Sequence, residues 1–220
     1  MPSINDLRAA ITSAPMSAVL IAVNLAVFAA VTIDRGLLDV LALPPDWSGM
    51  AGQPWTVLTV FFTAEVLIHI AGTVLIIGYF GVRFERFAGS VHVLAVYLLA
   101  GLAGSLALVA TAVATGFEEA SVGASAAFLG LMGALAVCPR QTWGPKLPVD
   151  KVVVAVLVIQ FAPVVGFGDW VSSVAHLVGL VVGGTYGYRV RVAMGRRPPT
   201  AVSGYLRWAS GARSPGRRGC

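Results

Sequence analysis

Four side chains in this sequence carry the means for acyl-transfer chemistry if they meet. They are Ser125 in "SVGASAAFLG" (121–130), His176 in "AHLVGLVVGG" (175–184), His69, and Thr73 one helical turn beyond His69. A serine hydroxyl is a weak nucleophile until a base takes its proton, and His176 is a candidate for that base. Ser125 stands at the N-terminal end of an apolar stretch. There its backbone N–H and the positive end of a helix would stabilise a developing oxyanion. His69 and Thr73 offer side-chain donors to the same oxyanion.

The frame that must bring them together is membranous. Of 220 residues, 57% are hydrophobic and only 11% charged, against about 25% charged in an ordinary soluble domain. The apolar residues run in long blocks, with neither the dyad alternation of a membrane barrel nor a heptad repeat. The expected fold is an all-α polytopic membrane protein with six transmembrane helices, at 16–33, 66–82, 91–113, 123–138, 152–167 and 171–189. The first apolar run lacks the flanks of a cleaved signal and reads as the first span.

Charges in the connections are asymmetric. Arg8, Arg83, Arg86, Arg140, Lys146 and Lys151 share one side with the eight arginines from Arg189 onward. Arg35 faces the other side with Asp34, Asp39, Asp46, Glu118, Glu119 and Asp169. Positive-inside logic then puts both termini in the cytoplasm. The expected organisation is a cytoplasmic segment 1–15, a membrane domain 16–191, and a basic, disordered cytoplasmic tail 192–220. The stretch 34–65 is too apolar for a solvated linker and too broken by Pro and Gly for a span. It reads as a segment lying in the interface, with Trp47 and Trp55 at headgroup depth.

The net charge of +5 comes mostly from the tail. Without a folded basic domain it points to anionic lipid headgroups rather than to nucleic acid. Cys138 and Cys220 form no disulfide framework, and no Cys/His cluster has metal-ligand spacing. Neither a metal nor a cofactor is expected. The absence of an internal repeat weakens a transporter reading.

On this topology Ser125 lies six residues past Glu119, and His176 seven past Asp169, each about 10 Å below the outer surface. His69 lies about one turn below it and Thr73 one turn further. His92 falls at the cytoplasmic start of the third span and reads as interfacial. Depth alone does not bring side chains into contact, but small residues suggest how contact arises. Gly123 and Gly130 flank Ser125, and Gly179 and Gly183 follow His176 at helical spacing, the pattern that lets helices approach closely in lipid. The same glycines would serve packing alone, with Ser125 one more small residue. No carboxylate except Glu65 reaches this depth, which points to a Ser-His dyad rather than a triad; Glu65 otherwise marks the water line.

In this order the motifs resemble the rhomboid family of intramembrane serine proteases, over about residues 16 to 191. "PWTVLT" (54–59) is similar to the family's Trp-Arg segment, and His69 to the histidine of its second span. "GVRFERFAGS" (81–90) carries Gly81, Glu85 and Gly89 in the register of a G-x-x-x-E-x-x-x-G stretch. "LLAGLAGSLA" (98–107) looks like the third span, "GASA" (123–126) like G-x-S-G around the nucleophile, and "AHLVGLVVG" (175–183) like A-H-x-x-G-x-x-x-G. The resemblance implies Ser125 as nucleophile, His176 as general base and His69 as oxyanion donor.

The sequence departs from that pattern at Thr73 (usually Asn), Ala64 (often His), Thr56 (Arg), Ala126 (Gly) and Leu129 (an aromatic, here adjacent as Phe128). If Thr73 is an oxyanion donor, Thr73→Asn would raise activity. The resulting expectation is an endopeptidase that cuts single-span membrane proteins near the outer part of their helices, in the bilayer of a plasma membrane. The alternative is a weak or inactive rhomboid-like protein that binds transmembrane clients; a small transporter or channel is a third.

Overall fold

The computed structural model describes residues 12–138 and 170–195, with 142–143, 147–148, 151, 154, 156 and 158 between them. The expected span 152–167 falls almost wholly outside the described residues. So do nearly all of the N-terminal segment 1–15 and of the tail 192–220.

The described chain is helical apart from one antiparallel pair of two-residue strands, Thr142–Trp143 with Leu147–Pro148. Helix α1 (Pro15–Ile33) starts with proline in its first turn, where the missing N–H has no helical partner to lose. At its far end Asp34 closes a 3-10 turn by accepting from the Gly36 N–H at 2.9 Å. The following segment folds as three short helices, α2 (Leu38–Leu41), α3 (Trp47–Gly52) and α4 (Thr56–Thr59), then a 3-10 turn at Val60–Phe62. The side chain of Asp46 caps α3 through the Gly49 N–H and also binds the Ser48 hydroxyl; these bonds hold its carboxyl below the usual carboxylate range.

Helix α5 (Leu67–Ala88) contains one wide π turn at Ile77–Gly81. It ends at Gly89, whose φ of 99° only glycine adopts readily, and α6 (Ser90–Thr115) begins at once. Glu85 locks this corner to α1. Its carboxylate accepts from the Met16 and Ser17 N–H groups, both at 2.8 Å, and from the hydroxyls of Ser17 at 2.7 Å and Ser90 at 2.6 Å. Helix α7 (Ser125–Ala136) is buried on every side from Ala126 to Leu135, which is why its sequence shows no polar face. Helix α8 (Trp170–Gly195) completes a core in which α6, α7 and α8 pack against one another pairwise.

Helices α1, α5 and α6 are long and apolar enough to cross a membrane. The expected spans 16–33 and 91–113 correspond closely to α1 and α6. The span expected at 66–82 continues to Ala88, because nothing before Gly89 breaks the helix. The span expected at 123–138 is a helix of only 12 residues, since Gly123 at φ 145° cannot be helical. The span expected at 171–189 runs on to Gly195 through Arg191, which donates to the Val137 carbonyl at the C-terminal end of α7 at 2.8 Å. The segment 34–65 is neither a span nor an open loop. Val60 and Phe61 are buried in the core, while Trp47 and Trp55 are half exposed.

Candidate active site

The entry to α7 is set by backbone constraints. Leu43 and Ser121 exchange both backbone hydrogen bonds at 2.9 Å, and the Gly123 N–H donates to the Val60 carbonyl at 3.3 Å. Gly123 then turns the chain through its positive φ, and Ser125 becomes the first residue of α7. The first N–H groups of a helix have no partner within it, so the start of α7 at Ser125 carries a partial positive charge.

Helix α8 brings the histidine. A Cβ placed on Gly179 would overlap the Ala126 carbonyl, one on Gly183 the Gly130 carbonyl, and one on Gly187 the Ala134 carbonyl. From the α7 side, a Cβ on Gly133 would overlap the Leu180 carbonyl. The two backbones therefore touch along three successive turns. With the helices held so closely, His176, buried on α8, reaches Ser125, and its Nε2 lies 2.6 Å from the serine Oγ. For the hydroxyl to donate to Nε2, the imidazole must carry its own proton on Nδ1.

The pair opens on a cavity of about 40 Å³ whose lining includes Phe61, Gly104, Ser105, Ser121, Gly123 and Ser172. A water needs roughly 10–15 Å³ measured this way, so the cavity admits water.

The remaining candidates stand apart. His69 does not line the cavity and is exposed on α5. Thr73 is buried, and its hydroxyl donates to the His69 carbonyl one turn back at 2.9 Å. Glu65 pairs with Arg35 at 3.8 Å at the surface. His92 meets Tyr186 through Nδ1 and the phenol oxygen at 2.9 Å, outside the cavity. Of the departures from the family pattern, Ala64, Ala126 and Leu129 are buried core residues, as is Phe128 beside Leu129.

Gly104, Gly133 and Gly187 belong to the same close packing but were not among the sequence candidates. Gly187 continues the four-residue spacing of Gly179 and Gly183, and that spacing is the signal that marks it.

Residues 51–192 match the Rhomboid domain. Three proteins of Arabidopsis thaliana are similar to the chain. "RHOMBOID-like protein 6, mitochondrial" is 29% identical over 146 residues, 65% of this chain and 46% of that protein. "RHOMBOID-like protein 5" is 28% identical over 140 residues, 62% of this chain and 44% of that protein. "RHOMBOID-like protein 7" is 37% identical over 84 residues, 38% of this chain and 25% of that protein. The chain spans less than half the length of each of these relatives.

Proposed function

This integral membrane chain belongs to the rhomboid family, and from that premise we propose that it is an intramembrane serine endopeptidase with Ser125 as nucleophile and His176 as general base. The observation that carries the reading is the 2.6 Å separation of Ser125 Oγ and His176 Nε2 across two helices whose glycines touch backbone to backbone. Close packing alone would explain the glycines, but not a buried imidazole turned onto a hydroxyl.

In the proposed reaction Ser125 Oγ attacks the scissile carbonyl carbon as His176 Nε2 takes the hydroxyl proton. The oxyanion is held by the Ser125 N–H and the positive end of α7. Collapse breaks the C–N bond, and the imidazolium returns its proton to the leaving amine. A water in the cavity then attacks the acyl-enzyme, again losing a proton to His176, and frees the acid and Ser125. His69 and Thr73 have no part in this version; the oxyanion donors are backbone groups. The substrates are single-span membrane proteins whose helices unwind locally, because a stable helix hides its carbonyls in its own hydrogen bonds.

The chain is proposed to cross the membrane six times with both termini cytoplasmic, 16–191 forming the membrane domain and 192–220 a basic tail. A plasma membrane is the proposed location; one relative is described as mitochondrial, and the site chemistry is the same in either membrane.

A client-binding protein without protease activity is the second reading. It is supported by the absence of His69 and Thr73 from the lining of the cavity beside Ser125 and by the bond of the Thr73 hydroxyl to the His69 carbonyl.

A tagged fluorophosphonate on the purified protein decides between them. Labelling that vanishes in Ser125→Ala and His176→Ala supports the protease. A folded wild-type protein that takes no label supports the client-binding reading.

A further inference from the structure

Two polar side chains lie fully buried away from the dyad, Asn24 on α1 and Tyr97 on α6. The Tyr97 hydroxyl donates to the Phe61 carbonyl at 2.6 Å. The Asn24 amide donates to the Tyr97 oxygen at 3.0 Å and to the Leu20 carbonyl at 2.8 Å. In an apolar interior such groups are costly unless satisfied, and Phe with Leu would fill the same space without that cost. What the polar pair adds is a fixed position for one carbonyl, that of Phe61.

Phe61 is joined directly to the approach of the nucleophile. The carbonyl of its neighbour Val60 accepts the Gly123 N–H, two residues before Ser125. Its ring rests on Gly101, where a Cβ would come within 2.8 Å of the ring carbons. One turn further, Ser105 Oγ lies 3.1 Å from the Val57 carbonyl. Tyr97, Gly101 and Ser105 thus form one stripe of α6, at four-residue spacing, on which the segment 57–62 is seated.

We propose that Tyr97, braced by Asn24, is a positioning residue for Ser125. By holding the Phe61 carbonyl it fixes Val60, through Val60 the Gly123 amide, and through Gly123 the direction in which the chain enters α7. The chain from α1 to the nucleophile is Asn24, Tyr97, Phe61, Val60, Gly123, Ser125. Its catalytic consequence rests on the protease reading above. Its geometric content does not.

The test uses the full chain in detergent, as wild type, Tyr97→Phe, Asn24→Leu and the double variant. Two readouts are taken: hydrogen–deuterium exchange by segment, and the kinetics of fluorophosphonate labelling. Tyr97→Phe keeps the ring and removes only the hydroxyl. The expected result is exchange faster by about fivefold, the factor of one ordinary hydrogen bond, in both 57–63 and 121–126. Exchange across 179–187 should stay unchanged. The limiting labelling rate should fall about tenfold at unchanged reagent half-saturation, since displacements well under 1 Å are felt at this scale. Asn24→Leu should act in the same direction, and the double variant should fall short of the sum.

A change confined to 57–63, no change, or a uniform rise over all helices overturns the inference. So does faster exchange in both segments with an unaltered labelling rate, which would make the network a structural brace alone. A folded wild-type protein that takes no label overturns the protease reading instead, and exchange at 121–126 then decides by itself whether Tyr97 holds the Gly123 segment.

Discussion

The methyl group of Ala126 occupies the space that the missing side chain of Gly104 leaves open. A Cβ on Gly104 would overlap it and would also meet the Ala175 carbonyl at 3.4 Å. Ala126 stands where the resembled motif has glycine, immediately after Ser125, so the bulk added on α7 is accommodated on α6. Gly104→Ala should therefore overpack the junction of three helices and cost about 1–3 kcal/mol. Ala126→Gly in the same chain should recover most of that loss, although alone it weakens α7 by about 0.5–1 kcal/mol. A double-mutant cycle by thermal or denaturant unfolding in detergent checks this. Additive effects would show that the two positions do not share the space.

Removing either member of the proposed dyad should separate chemistry from folding. Ser125→Ala and His176→Ala each lower turnover of a model transmembrane substrate by on the order of 10⁶-fold, as when a nucleophile or its base is deleted elsewhere. Ser125→Ala should unfold close to wild type, because Ser125 is only half buried and the glycine contacts are untouched, whereas His176→Ala empties a buried position and should unfold earlier while still inserting. Cleavage by purified Ser125→Ala protein would remove Ser125 as nucleophile.

Thr73 is the position where the structure changes the expectation. If it were an oxyanion donor, Thr73→Asn would restore an amide and raise activity. Its hydroxyl instead closes a bond to the His69 carbonyl within its own helix, and neither residue lines the cavity. Thr73→Val should thus leave the labelling rate within about twofold, with a stability loss of about 1 kcal/mol for the lost bond. Thr73→Asn should give no gain, and a faster Thr73→Asn variant would put the residue back in the site.

The long apolar blocks made α1, α5 and α6 legible in the sequence, because a membrane-length helix leaves a pattern that survives small errors in its ends. The meeting of Ser125 and His176 was legible in part, through the four-residue spacing of Gly179 and Gly183 that brings the two helices into contact. The fold of 34–65 was not. Its short helices are held by bonds such as Trp55 Nε1 to the Val40 carbonyl at 2.9 Å and Thr59 Oγ1 to the Leu41 carbonyl at 3.0 Å, which no periodicity announces. The Asn24–Tyr97 pair escaped for the same reason. A side chain bonded to a distant carbonyl looks, in sequence, like any polar residue in an apolar run. His69 differs, since it is exposed on α5 and does not line the cavity beside Ser125.

Glu85 carries the fold at the opposite end of the bundle from the dyad. Four donors from α1 and α6 converge on one carboxylate, and hydrogen bonds to a charged group are worth about 1.5–3 kcal/mol each. Glu85→Gln keeps the size but turns one acceptor oxygen into an NH2 that opposes these donors. It should destabilise the protein by at least about 2 kcal/mol. Glu85→Ala should be worse, because it leaves the buried Ser17 hydroxyl and N–H and the part-buried Met16 N–H without their acceptor. Since Glu85 does not line the dyad cavity, labelling of the folded fraction should proceed at the wild-type rate in Glu85→Gln. Unfolding midpoints and labelling measured on the same samples make the distinction. A variant that labels slowly while fully folded would show that the corner between α5 and α6 controls the site as well as the fold.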